Sequence, residues 1–199
     1  MFFVDWFYNL FLWLGFFKKD AKIVILGLGN ADINFLYFLK KRHLLVHGAV
    51  KAHNPTQRPH NDSFTYGNIN FTAYDLGGQS ALRNIWKNYT QDPKTIILFM
   101  VDSTDPQSII ESKSEIHDLL EDENLKNSAI LVLGSKIDAK EAIGRESLID
   151  QLDIRRFGLG LNRPDRPLDC LMFSSLKRVG IKEMVDWLSN CVDIVNANN

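Results

Sequence analysis

At 199 residues, with a formal charge of −1 and 45% hydrophobic content, the chain has the size of one core-bearing domain; wholesale disorder and a global electrostatic pull toward nucleic acid are excluded. Cys170 and Cys191 stand too far apart in sequence for a zinc knuckle or a disulfide framework, so both read as packing residues in a reducing compartment.

Residues 1–17, MFFVDWFYNLFLWLGFF, depart from that average: only Asp5, Asn9 and Gly15 lie outside the apolar and aromatic set, and Lys18-Lys19 follow. The run is shorter than the about 20 apolar residues of a spanning helix. Its positive charge comes after the apolar stretch, where a signal peptide carries it in front. The expectation is an interfacial amphipathic membrane helix, distinct from a domain over residues 18–199, that inserts Phe2, Phe3, Trp6, Phe7, Phe11 and Trp13. A helix buried within the molecule or in a dimer is the alternative. Phe2 stands where N-terminal myristoylation needs glycine.

Beyond Asp20 short apolar runs alternate with helical periods. Residues 22–26 read as a buried strand, 33–42 as a helix, 68–74 as an alternating strand and 95–101 as another buried strand. Residues 108–120 carry Ile109, Ile116, Leu119 and Leu120 at helical spacing; 129–133 and 168–173 read as strands, and 181–195 as a closing amphipathic helix. The stretch 158–167, rich in Gly, Arg and Pro, reads as an exposed connection. Strands alternating with helices predict an α/β fold, a mostly parallel sheet covered on both faces.

In such a sheet ligands collect beyond the carboxyl ends of the strands. The polar motifs sit at those ends: Gly27 to Ala31, Asp75 to Gln79, Ser135 to Asp138, and Ser174-Ser175-Leu176. The first reads Gly27-Leu28-Gly29-Asn30-Ala31-Asp32-Ile33-Asn34. A phosphate loop, G-x-x-x-x-G-K-[ST], needs a glycine for close backbone approach, a lysine for the β/γ-phosphates and a hydroxyl for Mg²⁺. Here those places hold Asp32, Ile33 and Asn34. A dinucleotide fingerprint also fails, because it needs glycine at Asp32 and an acid about 20 residues on, and no Asp or Glu occurs from Ile33 to Asn61. That acid-free stretch holds Lys40, Lys41, Arg42, Lys51 and Arg58 among His43, His47, His53 and His60. It reads as a solvated helix end and loop, or as a basic patch facing anionic lipid headgroups.

With these motifs in place, the chain resembles the Sar subfamily of Arf-type small GTPases, the switch that starts assembly of the COPII vesicle coat. The resemblance covers nearly the whole chain: Asp75-Leu76-Gly77-Gly78-Gln79, Lys136-Ile137-Asp138, the aromatic N-terminal segment with Lys18-Lys19, Asn54 to Pro59, Trp86-Lys87-Asn88-Tyr89, and Ser174 to Gly180. It implies the P-loop small-GTPase fold, a mostly parallel six-stranded sheet with helices on both faces. It also implies a peripheral protein on the cytoplasmic face of the endoplasmic reticulum membrane, acting in transport to the Golgi. The implied partners are COPII inner-coat proteins and a Sar-type exchange factor, with no nucleic acid.

By the same resemblance, the nucleotide site comprises Asn30, Ala31, Asp32, Ile33, Asn34, Gly78, Ser135, Lys136, Asp138, Ser175 and Leu176. Lys136 stacks its stem on a guanine, Asp138 accepts from the base N1 and N2 positions, and Ser175 and Leu176 supply backbone contacts. Ser135 replaces an asparagine, so one amide contact is missing while a hydroxyl keeps some capacity. Asp75 holds the Mg²⁺ water shell, Gly78 reads the γ-phosphate, and Gln79 replaces a water-positioning histidine, a job glutamine performs in other small GTPases. His60 stands for the threonine that completes the Mg²⁺ shell, and Gly29 for an aspartate near the metal.

A charge-assisted hydrogen bond contributes about 1.5–3 kcal/mol, and opposite charges near 4 Å interact by about 4 kcal/mol at an effective dielectric of about 20. Losing the lysine and gaining Asp32 therefore predicts a GTP and GDP affinity lower by roughly three or more decades, weak dependence on Mg²⁺, and slow hydrolysis. Two functions follow: a GTP-driven switch of the COPII coat, or a catalytically impaired pseudo-GTPase serving as a membrane-bound adaptor or regulator.

Overall fold

The computed structural model describes residues 19–28, 60–76, 78, 83, 85–92, 94–161 and 166–197. The N-terminal segment with Phe2, Phe3, Trp6, Phe7, Phe11 and Trp13, the phosphate-loop residues Asn30, Ala31, Asp32, Ile33 and Asn34, and Gln79 lie outside the described residues. Strands β1 (Lys19–Gly27), β2 (His60–Tyr66), β3 (Ile69–Asp75), β4 (Thr95–Asp102), β5 (Ala129–Ser135) and β6 (Leu168–Met172) form one sheet in the order β2-β3-β1-β4-β5-β6. All neighbours are parallel except β2 and β3. The expected six-stranded, mostly parallel sheet is therefore present.

Its central strands are buried from end to end, as the continuous apolar runs require in a sheet covered on both faces. Successive side chains point to opposite faces. Ile23, Ile25, Phe71, Ile96, Leu98, Leu131 and Leu133 pack toward helix α4 (Ile181–Ala197), against Met184, Trp187, Leu188, Cys191 and Val192. Val24, Leu26, Ile97, Phe99 and Val132 share the other layer with helix α2 (Pro106–Glu121), helix α3 (Arg145–Leu152) and Trp86 of the short helix α1 (Trp86–Thr90). Both cysteines are buried and free, and burial pushes the Cys170 thiol up to about 12 and raises that of Cys191, so they are inert packing groups.

Helix α2 starts where its chemistry says it should. The Asp105 carboxylate accepts from the Gln107 N–H, and Pro106 occupies a first-turn position where no donor is needed. Its end is closed from a distance: the buried Arg166 guanidinium donates to the carbonyls of Leu120 and, at 2.9 Å, Leu125. This corrects the reading of residues 158–167 as an exposed connection. Arg166 and Pro167 are buried, and Gly160 and Leu168 exchange backbone hydrogen bonds at 2.7 and 3.2 Å.

Strand β2 and helices α1 and α3 are additions to the sequence reading. β2, HNDSFTY, sits at the sheet edge with one neighbour, so its outer backbone and polar side chains are solvated and no apolar run announces it. α3 has a weak apolar stripe, Leu148, Ile149 and Leu152, and depends on packing against α2 and β6.

Candidate functional site

The parallel strands β1, β3, β4, β5 and β6 deliver their carboxyl ends to one edge, and the loops after β4, β5 and β6 are joined there by hydrogen bonds. The β5 loop is the best defined. Ser135 is the last residue of β5; the chain then turns at Lys136, whose φ of 61° lies in the left-handed region, and the turn closes with Ala139 N–H on the Lys136 carbonyl at 3.0 Å. Non-glycine residues occupy that region at a cost of about 1–2 kcal/mol, so surrounding contacts must hold it.

Those contacts come from β4. Asp102, the last residue of β4, pairs in register with Ser135. The Ser103 hydroxyl donates to the Ser135 carbonyl, and the Ser103 N–H does so at 3.3 Å. The Lys136 ammonium donates to Asp102 Oδ2 at 2.5 Å. Asp102 Oδ1 accepts from Thr104 N–H at 3.0 Å and Thr104 Oγ1 at 2.6 Å. Burial alone pushes the Asp102 carboxyl up, but the hydrogen bonds from Lys136 and Thr104 and the lysine charge more than reverse it, so it titrates below the ordinary carboxylate range. Its stabilising contribution is thus complete above the unfolded carboxylate pKa and fades as pH falls through the lower folded value.

The β6 loop joins from the other side. Ser174 and Val179 exchange backbone hydrogen bonds at 3.0 and 3.2 Å, closing the loop between them. The Ser174 hydroxyl donates to Asp138 Oδ1 at 2.5 Å and accepts from the Lys177 N–H at 3.0 Å. The second Asp138 oxygen takes no protein hydrogen bond among the described residues. Leu176 is 67% exposed on that loop. The result is a carboxylate with one oxygen unengaged among the described residues, the half-buried Lys136 stem, and an exposed leucine, parts able to hold a flat base bearing adjacent N–H donors.

One expectation changes and one residue is added. Ser135 is fully buried, and its hydroxyl donates to the Val101 carbonyl at 3.1 Å, so its proton is spent inside the sheet and unavailable to a ligand. Ser174 is added to the expected residues, since its side chain meets Asp138; Ser175, buried, and Leu176, exposed, were expected to act through their backbone. Asp102 was missed, although an acid ending the apolar run TIILFMVD signals a polar group at a strand's carboxyl end.

Where the phosphates are expected, Asp75 closes β3 and stands opposite His60 in the β2–β3 ladder, which brings together two of the expected metal-shell positions. The Gly78 carbonyl accepts from Arg83 Nε at 3.1 Å, and Arg83 is held by Glu115 at 2.5 Å. A hard Mg²⁺ ion takes oxygen ligands in octahedral array. Among the expected positions only Asp75 supplies a carboxylate, while Asn34 and His60 stand where hydroxyls are expected, so the residues present fit the base better than the metal.

Residues 6–192 match the ADP-ribosylation factor family. The chain is 62% identical over 199 residues, all of both chains, to the small COPII coat GTPase SAR1B of Dictyostelium discoideum. It is 33% identical over 192 residues, 94% of this chain and 97% of the relative, to the small COPII coat GTPase SAR1 of Giardia intestinalis. Among solved structures it is similar, with a TM-score of 0.72 and 24% identity over 88% of this chain and 98% of the other, to the Arl6 BBS3 small GTPase of Trypanosoma brucei with the bound nucleotide analogue GppNp.

Proposed function

The chain belongs to the ADP-ribosylation factor family, in its Sar branch, and on that footing we propose that it is a small guanine-nucleotide-binding protein of COPII coat assembly. The observation that carries this reading is the 62% identity over both full lengths to a small COPII coat GTPase. It acts at the cytoplasmic face of the endoplasmic reticulum membrane in transport toward the Golgi. Residues 1–17 serve as the membrane-binding segment, and the domain over 18–199 meets inner-coat proteins and a Sar-type exchange factor. Asp138 reads the donor edge of guanine, Lys136 and Leu176 cover the base faces, and Ser174 fixes the carboxylate. Asp32, Ile33 and Asn34 weaken the grip on phosphate and Mg²⁺, and Gln79 is the residue available to orient an attacking water.

That departure also favours a second reading, an adaptor on the same fold that works without a nucleotide cycle. Calorimetry of the purified full chain with GDP and GTP, with and without Mg²⁺, joined to chromatography of acid-released nucleotide, separates the two. Weak, guanine-selective binding that is nearly indifferent to Mg²⁺ is expected. Nanomolar, EDTA-sensitive binding overturns the weakened phosphate site, and no guanine binding at any concentration overturns the base pocket.

A further inference from the structure

We propose that Asp102 is a positioning residue for base recognition: it fixes the Lys136 side chain as a preformed wall of the guanine pocket. The proposal rests on the base-pocket reading above. Asp102 is 4% exposed, and both its oxygens are committed, Oδ2 to Lys136 at 2.5 Å and Oδ1 to Thr104 at 3.0 and 2.6 Å. A buried carboxylate carries a desolvation cost well above that of a serine or asparagine at the same strand end, so its presence calls for a compensating role.

The role lies in what is held at both ends. The Lys136 backbone is locked in its left-handed turn by the Ala139 hydrogen bond and by the two donors of Ser103 on the preceding carbonyl. The ammonium is locked by Asp102. A lysine whose side chain is 36% exposed would otherwise sample many rotamers. Tethered at head and root, its four-carbon stem is a fixed apolar surface two residues before Asp138 on the same turn. A ligand then loses less side-chain freedom on binding, and the lysine offers a face with its charge already neutralised.

Asp102 could instead serve only to hold the 102–104 turn through Thr104. A double-mutant cycle read by GDP calorimetry on the full chain separates the roles: parent, Asp102→Asn, Lys136→Ala and the double variant, with unliganded thermal denaturation of each. Asp102→Asn is expected to weaken GDP binding about tenfold in the parent and less than about twofold in the Lys136→Ala background, within the range for directly bonded neighbours. Thr104→Val, which removes a donor to Asp102 and leaves the ion pair, should bind GDP within about twofold of the parent while moving the melting temperature. Equal losses from Asp102→Asn in both backgrounds, or a Thr104→Val loss matching that of Asp102→Asn, overturns the positioning role and leaves the base pocket standing. A parent that binds no GDP overturns the base pocket and this role with it.

Discussion

Replacing Gly180 with alanine tests how rigidly the β6 loop is held. Gly180 has φ of +79°, and a Cβ added there would lie 2.1 Å from the Met172 carbonyl oxygen and 3.0 Å from the Phe173 Cα. The left-handed conformation costs a residue with a side chain about 1–2 kcal/mol. The clash is with backbone at the end of β6, so no rotamer change relieves it, and the forced shift adds about 1–3 kcal/mol, as overpacking does. Gly67 is the internal control: its φ is +58°, and nothing lies within 4 Å of an added Cβ, so Gly67→Ala carries the conformational part alone. Urea denaturation of both variants at unchanged m should place Gly180→Ala below Gly67→Ala by the clash, about 1–3 kcal/mol. In thermal denaturation that difference amounts to roughly 2–12 °C for a chain of this size. Because the same loop closes through Ser174 and Val179 and presents Ser174 to Asp138, Gly180→Ala should also weaken GDP binding, whereas Gly67→Ala should not. If Gly180→Ala is no less stable than Gly67→Ala, the close approach does not constrain this loop and the reasoning fails.

Asp138→Asn exchanges two acceptors for one acceptor and one donor, so GDP affinity should fall by about 10- to 150-fold, the worth of one charge-assisted bond. Xanthosine diphosphate, which carries a carbonyl where guanine has its amino group, should gain relative to GDP in the same calorimetric titration. Asp32→Gly, Ile33→Lys and Asn34→Thr together should raise GTP affinity by orders of magnitude, whereas Ile33→Lys alone should raise it little, because the new lysine would pair with Asp32 before it met a phosphate. A triple variant that binds no better than the parent refutes that account. Liposome flotation of the full chain should exceed that of a variant beginning at Lys18, since several aromatics burying apolar surface at about 25 cal/mol per Å² suffice for reversible binding. Equal flotation of the two would remove the anchor.

The sheet was legible because its central strands are continuous apolar runs separated by helical periods, and burial on both faces leaves such runs no other accommodation. Asp75, Ser135, Lys136 and Asp138 were legible as a group because polar residues at the carboxyl ends of parallel strands converge whatever lies between them. Edge strand β2 escaped notice: one solvated face and one neighbour relax the demand for apolar residues that makes a strand visible. The partners inside the site were not legible either. That Ser135 spends its proton on Val101, that Ser174 rather than its neighbours meets Asp138, and that Lys136 reaches back 34 positions to Asp102 are matters of register between strands and of loop closure. Sequence determined which chemical groups stand at the sheet's edge. Tertiary structure decided which of them are committed to one another, because a hydrogen bond depends on separations of a few tenths of an ångström that pairing of distant strands sets and local pattern does not.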